Sequence, residues 1–197
     1  MKGNGLKIFG VALAVIVGIA LICILYSIST KNSFISMRED INEQQANVEV
    51  ALQRRADLIP NLVATVKGYA THEEKVFTEI AQARSKLAGS INSGNLNEIS
   101  AANDELSSAL SRLLVLKESY PELKANENFI ALQDELAGTE NRIAIARRDY
   151  NDLVSKYNRK IQRFPASIIA NSNGFKTIDY FKSQEGANIA PNVDFSN

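Results

Sequence analysis

The chain has 197 residues, and its 22 Lys and Arg are balanced by 22 Asp and Glu. That balance supplies no global argument for nucleic acid. One Cys and one His exclude a disulfide framework within the monomer and argue against a Cys- or His-based metal site.

No charged residue stands between Lys7 and Lys31. After a short flank (1–7), residues 8–28 are almost all aliphatic or small, and a helix of that length is about 31 Å long, enough for a hydrocarbon core of roughly 30 Å. Tyr26 sits near one end, where an interfacial aromatic is favoured. The run is longer than the core of a cleaved signal, about 7–15 residues, so an uncleaved anchor is expected. Ile22 before Cys23 does not fit a lipobox, which leaves Cys23 as one apolar residue of the span. Lys2 and Lys7 on one flank tie with Lys31 and Arg38 on the other, so the positive-inside rule assigns no side.

A helical bundle is expected over 33–164, with helices at about 33–69, 72–91, 95–119 and 126–164. In the first, Phe34, Ile41, Val48, Arg55, Leu62 and Tyr69 recur every seven residues. Met37, Gln44, Ala51, Leu58 and Thr65 form the partner set, widened by Leu52, Ile59 and Val66. Pro60 predicts a bend near 56–60 rather than an end, because the apolar phase continues past it. Thr71 and Glu74 read as a capping box opening the second helix, which carries Phe77, Ile80, Leu87 and Ile91. Residues 89–94 read as a loop. Asn95 opens the third helix, with Leu96, Ile99, Leu106, Leu110 and Leu113, and Tyr120-Pro121 stops it. Asn126 caps the fourth, where Phe129, Leu136, Ile143, Tyr150, Tyr157 and Phe164 again recur every seven residues. The predicted fold is all-α: a single N-terminal transmembrane helix followed by an antiparallel up-and-down bundle of long helices. A long two-helix coiled coil is the rival arrangement. Residues 165–197 read as an irregular tail that packs on the bundle or on a surface.

No catalytic constellation emerges. His72 lies at a helix start, Cys23 lies inside the span, and no Gly-x-Ser-x-Gly or phosphate-binding loop is present. Neither a metal nor a cofactor is expected. Two features are less bland. Arg55, Arg84, Asn103 and Lys117 fall in phase with core positions, and Arg54, Asp57 and Asn61 lie close by in the first helix. Together they form either a polar network that fixes helix register or a partner groove. Along 142–163, seven Lys and Arg face only Asp149 and Asp152. In an up-and-down bundle that basic end returns toward the bilayer. Lys156, Arg159, Lys160 and Arg163, with Phe175 and Phe181 of the tail, are therefore candidates for contact with the membrane surface. Dipole matching at a helix C-terminus is the simpler explanation of the charges.

Several blocks in order resemble the LemA family. They are Arg54-Arg-Ala-Asp-Leu-Ile-Pro-Asn-Leu-Val63 with Thr65-Val-Lys-Gly-Tyr-Ala-Thr-His-Glu73, then Tyr120-Pro-Glu-Leu-Lys-Ala-Asn126 and Gly138-Thr-Glu-Asn-Arg-Ile143. Arg148-Asp-Tyr-Asn151, Tyr157-Asn158, Phe164-Pro165 and Pro191-Asn-Val-Asp-Phe195 follow. The resemblance covers essentially the whole chain and implies a bacterial, membrane-anchored helical bundle, without implying a reaction. Expected partners are the lipid bilayer and other membrane or envelope proteins, not nucleic acid. The leading reading is a non-enzymatic scaffold or adaptor. The second is a sensory or ligand-binding bundle that would need a partner protein, since seven residues precede the span.

Overall fold

The computed structural model describes residues 3–182, with side chains from Phe9 onward. Among these there is no strand. The helices are α1 (Gly3–Lys67), α2 (Glu74–Ser93), α3 (Leu96–Leu116), α4 (Pro121–Lys124), α5 (Glu127–Gln162) and α6 (Ala166–Ser172), with a 3-10 turn at Lys117–Ser119. The chain divides into two units. The described part of Met1–Asn42 groups with Asp152–Ile178, here the N-terminal unit, and Glu43–Asn151 groups with the described part of Asp179–Asn197, the central unit.

In the N-terminal unit, α1 carries one stretch long and apolar enough to cross a membrane, and none of it is covered by protein. Phe9, Ile16, Ile22 and Leu25 are more than half exposed, whereas a soluble core helix would bury such residues. Beyond the span, α1 continues through Ser29-Thr-Lys-Asn32 without the gap expected there, since no Gly or Pro interrupts it. Phe34 is then fully buried, edge-on to Phe175 at 5.1 Å and near Tyr157. Val154, Ile161 and Ile169 complete this small core.

In the central unit the stripe read on α1 is the core. Val48, Leu52, Ala56, Ile59, Leu62 and Val66 are at most 1% exposed. Gln44, Ala51, Leu58 and Thr65 are only half-buried, so the helix faces inward between the first set and its widening. Gln44 bonds to the Ala146 carbonyl, Arg54 to Glu135 and Asn126 to Tyr69, a descending order that runs α1 and α5 antiparallel. Lys86 with Glu105, and Arg112 with Glu79, do the same for α2 and α3.

Pro60 lies inside α1. Lacking an N–H, it leaves the Ala56 carbonyl, four residues back, without its helical donor. Arg84 of α2 fills that place: its Nε donates to the Ala56 oxygen at 2.8 Å. The helix therefore continues to Lys67 and ends two residues short of the expected Tyr69.

Three other expectations are corrected. Thr71 does not cap α2: the helix opens at Glu74 after Glu73, without a side-chain cap bond. The amides of Tyr69 and Ala70 instead bond back to the Val66 carbonyl, which draws residues 69–73 into a turn. Residues 89–93 are helical rather than loop. Ser90 and Ser93 donate to carbonyls three residues back, and α2 ends at Gly94, whose φ of 68° is the left-handed conformation glycine tolerates. The tail is not irregular from 165 onward, since it forms α6 and then docks on α5. At α3, by contrast, Asn95 accepts from the amides of Asn97 and Glu98.

Removing the Arg84 side chain should cost about 1–2 kcal/mol, the cost of orphaning a buried carbonyl. In a Pro60→Ala background, where the helix supplies its own donor, the cost of Arg84→Ala should shrink. Urea unfolding of the full chain in detergent, run as a double-mutant cycle, measures this. Equal costs in both backgrounds would show that Arg84 does not compensate for the proline.

Candidate functional site

The central unit holds a polar centre inside its apolar core. Arg55 is 6% exposed and Asn103 fully buried. Arg55 Nη1 donates to Asn103 Oδ1 at 2.8 Å and lies 2.6 Å from Glu140 Oε2, so side chains from α1, α3 and α5 meet at one guanidinium. Burial pushes the Arg55 pKa down, the Glu140 carboxylate offsets this, and the nearby Arg147 lowers it further. Arg147 of α5 is likewise desolvated, with Asp104 and Glu140 opposing the shift. Its guanidinium lies 5.5 Å over the Phe181 ring. Arg55 Nε, Asn103 Nδ2, Ser100 Oγ and two nitrogens of Arg147 find no hydrogen-bond partner among the described residues. Beside the centre lies a cavity of about 300 Å³ lined by Arg55, Ser107, Gln133, Leu136 and Glu140.

The other residues expected in this network are dispersed. Arg54 is exposed and forked onto Glu135 at 3.1 and 2.7 Å, holding that carboxyl below its usual range. Asp57 accepts from Gln53 on the same helix. Asn61 is exposed, with its carbonyl engaged by Thr65. Arg84 serves the Ala56 carbonyl. Lys117 stands in the 3-10 turn, and its side chain makes no hydrogen bond or ion pair among the described residues. Arg147, Asp104 and Glu140 were not anticipated, since Arg147 reads in sequence as one more cation of a basic run.

In the N-terminal unit, Tyr26 and Met37 of α1 face Lys156, Arg159 and Lys160 of α5, and Arg163 just beyond its end, across a cleft of about 490 Å³, closed by Phe164 and Ala166. Phe175 and Phe181, expected at the same membrane surface, both make ring contacts with protein. Phe175 lies against Phe34, and Phe181, 4% exposed, lies edge-on to Tyr150 at 4.9 Å. Paired asparagine clamps cause this. In the N-terminal unit, Asn158 donates to the Ile178 carbonyl and accepts from its amide, at 2.8 and 2.9 Å. In the central unit, Asn151 does the same for Phe181, at 3.0 and 2.9 Å. Each clamp follows a buried tyrosine, and the repeated Tyr-Asn pair at 150–151 and 157–158 is the signal that marks them.

The model described as LemA family matches residues 44–195. The chain belongs to the LemA family. It is 29% identical over 178 residues to magnetosome protein MamQ 2 of Paramagnetospirillum magneticum, covering 78% of this chain and 65% of that protein. It is 24% identical over 183 residues to protein LemA of Metamycoplasma hominis, covering 92% and 82%. The chain thus spans just under two-thirds of the magnetosome relatives. Of the blocks that resemble the LemA family, the one at 191–195 lies outside the described residues. Arg55 and Pro60 lie in the first, and both asparagine clamps lie in the third. Among the described residues no group of three or more His, Cys, Asp or Glu could hold a metal ion.

Arg55→Met leaves buried Asn103 without its partner and should cost about 1–3 kcal/mol. Asn103→Leu removes one of the two acceptors of the Arg55 guanidinium and should cost a similar amount. The double variant should lose clearly less than the sum of the two, read from unfolding midpoints in detergent. Additive losses would show that the pair is not coupled.

Burial, with the Asp179 carboxylate, pushes the Tyr150 pKa up to about 12, against an ordinary value of about 10. The folded state then keeps a proton that the unfolded state releases. Its contribution is full below about pH 10 and is lost as pH rises toward 12, with a slope of at most about 1.4 kcal/mol per pH unit. Tyr150→Phe should flatten this part of the alkaline stability profile relative to the native chain. Superimposable profile shapes between pH 9.5 and 12 would refute the assignment.

Proposed function

We propose that this LemA-family chain is a single-pass, membrane-anchored scaffold or adaptor for other envelope proteins, with no reaction of its own. The observation that carries this reading is α1 itself. One helix bears the uncovered apolar span and then the buried stripe of the soluble core. The polar groups inside the central unit join three helices to one another, which suits a specified architecture better than a reacting centre.

A face for partners lies in the central unit between α1 and α5. There Val50, 69% exposed, borders a hollow of about 430 Å³ with Gln53, Arg54, Asp57, Leu58 and Glu135. An apolar centre ringed by charged groups is the usual anatomy of a protein interface. A photocrosslinking amino acid at Val50, in the full chain in native membranes, should yield a reproducible adduct with a second protein. The same label at Ser108, exposed on α3, should not. Arg55→Leu should leave that adduct in place. Failure of Val50 to crosslink, or equal crosslinking from Ser108, would refute this face.

A second reading has one observation of its own. The unmatched Nε of Arg55, whose side chain lines the 300 Å³ cavity, suits a small anion, which favours a ligand-binding role. Native mass spectrometry of the purified chain that shows a retained small molecule, lost in Arg55→Met, would favour it over a scaffold.

A further inference from the structure

We propose that the cleft of the N-terminal unit is a binding site for the phosphate of an anionic phospholipid headgroup, which Lys156, Arg159, Lys160 and Arg163 would hold at the end of the span. This inference rests on the anchored reading of α1.

Three observations carry it. The first is charge. Four cations face the cleft and no carboxylate lines it. Among the described residues none of the four forms an ion pair, although other cations there form seven bridges. Lys160 bonds to the Ser33 hydroxyl and Arg159 to the Ser155 carbonyl, which orients them without neutralising them. Dipole matching cannot absorb this charge. A helix C-terminus presents about half a negative charge, so four cations leave an excess of about three and a half. Glu39 and Asp40, the nearest acids in sequence on α1, are exposed and do not line the cleft.

The second is depth. Tyr26 forms part of one wall, and Tyr26 belongs to the last turn of the apolar stretch. When α1 spans a bilayer, an aromatic at that place lies at headgroup level, and the basic end of α5 faces it across the cleft. The cations thus meet lipid phosphates without any further movement of the chain.

The third is the apolar rim. Phe164 continues the seven-residue phase of α5, yet it is 82% exposed because α5 ends at Gln162. A large aromatic, uncovered where it lines a cationic cleft, matches a molecule with a phosphate head and an acyl body, not a free inorganic ion.

The test uses the full chain purified in mild detergent doped with phosphatidylglycerol and phosphatidylcholine in equal parts, read by native mass spectrometry. The native chain should retain phosphatidylglycerol in preference to phosphatidylcholine. Each cation removed should weaken retention about fivefold, so K156Q/R159Q/K160Q/R163Q should abolish the preference, and the charge-conserving R159K/R163K should keep most of it. Far-UV circular dichroism of each variant checks that the helices persist. Equal retention of the two lipids by the native chain, or an unchanged preference in the quadruple variant, overturns the proposal. Displacement of the lipid by inorganic phosphate alone also overturns it, since the cleft would then recognise the free ion. Alkaline carbonate extraction of native membranes tests the anchor separately. A chain that stays in the membrane but shows no lipid preference refutes the cleft alone, whereas a chain that is extracted refutes the anchored reading beneath it.

Discussion

The bond from Arg84 to the Ala56 carbonyl is the constraint on which the central unit depends. Pro60 interrupts the hydrogen-bond ladder of α1 in the middle of its buried stripe, between Ile59 and Leu62, both essentially inaccessible to solvent. At an exposed site water would take up the orphaned carbonyl. Here the carbonyl belongs to Ala56, which is 1% exposed, so the replacement donor has to come from the protein. A guanidinium from the neighbouring helix is long enough to reach and keeps its remaining nitrogens for solvent. The proline and the arginine together tie α2 to α1 at one turn, because Pro60 frees the Ala56 carbonyl that Arg84 takes up.

The polar centre around Arg55 works by the same logic with a different balance. A buried guanidinium is costly unless matched. Asn103 and Glu140 match one nitrogen of Arg55, and Glu140, about half exposed, keeps part of its hydration. Arg147 lies close enough to depress the Arg55 pKa and is itself met by the Asp104 and Glu140 carboxylates. Two cations and two carboxylates leave the centre near neutral, which explains how a core otherwise made of Leu, Ile and Ala accommodates it. Several donors remain unmatched. Such a centre is poorly suited to adding stability and better suited to deciding which helices meet and where.

The main body of the fold was legible in the sequence because its signals are periodic. A seven-residue recurrence of large apolar groups survives local noise, and Phe34, Ile41, Val48, Leu62, Phe129, Ile143, Tyr150 and Tyr157 are all buried where that pattern puts them. Element ends were less legible, because they depend on competition between neighbouring groups. Thr71 has the composition of a cap, but the backbone at 69–73 instead makes a turn that bonds to the end of α1. Gly89 looks like a breaker, but the serines that follow return their hydroxyls to the helix and carry it on to Gly94. Of the expected site residues, Arg55 and Asn103 meet. Arg54 and Lys117 do not join them, because phase along one helix says which face a residue takes but not which helix it will meet. Arg147 was hidden for the opposite reason: its burial comes from the tail residue Phe181, held in place by the Asn151 clamp.

The clamps also bear on where function can reside in this family. Asn151 and Asn158 bind main-chain atoms of Phe181 and Ile178, so they constrain the path of the tail and not its side chains. Together with Arg55 and Pro60, they lie in blocks that resemble the LemA family. The match to the family model begins at residue 44, beyond the apolar stretch and beyond Tyr26 and Met37, which form one wall of the basic cleft. Only the α5 wall lies inside the matched region. A site built across that boundary depends on the particular way this chain joins its apolar helix to the family's body, and has to be argued from these residues and this geometry. By contrast, the hollow beside Val50 lies wholly within the matched region.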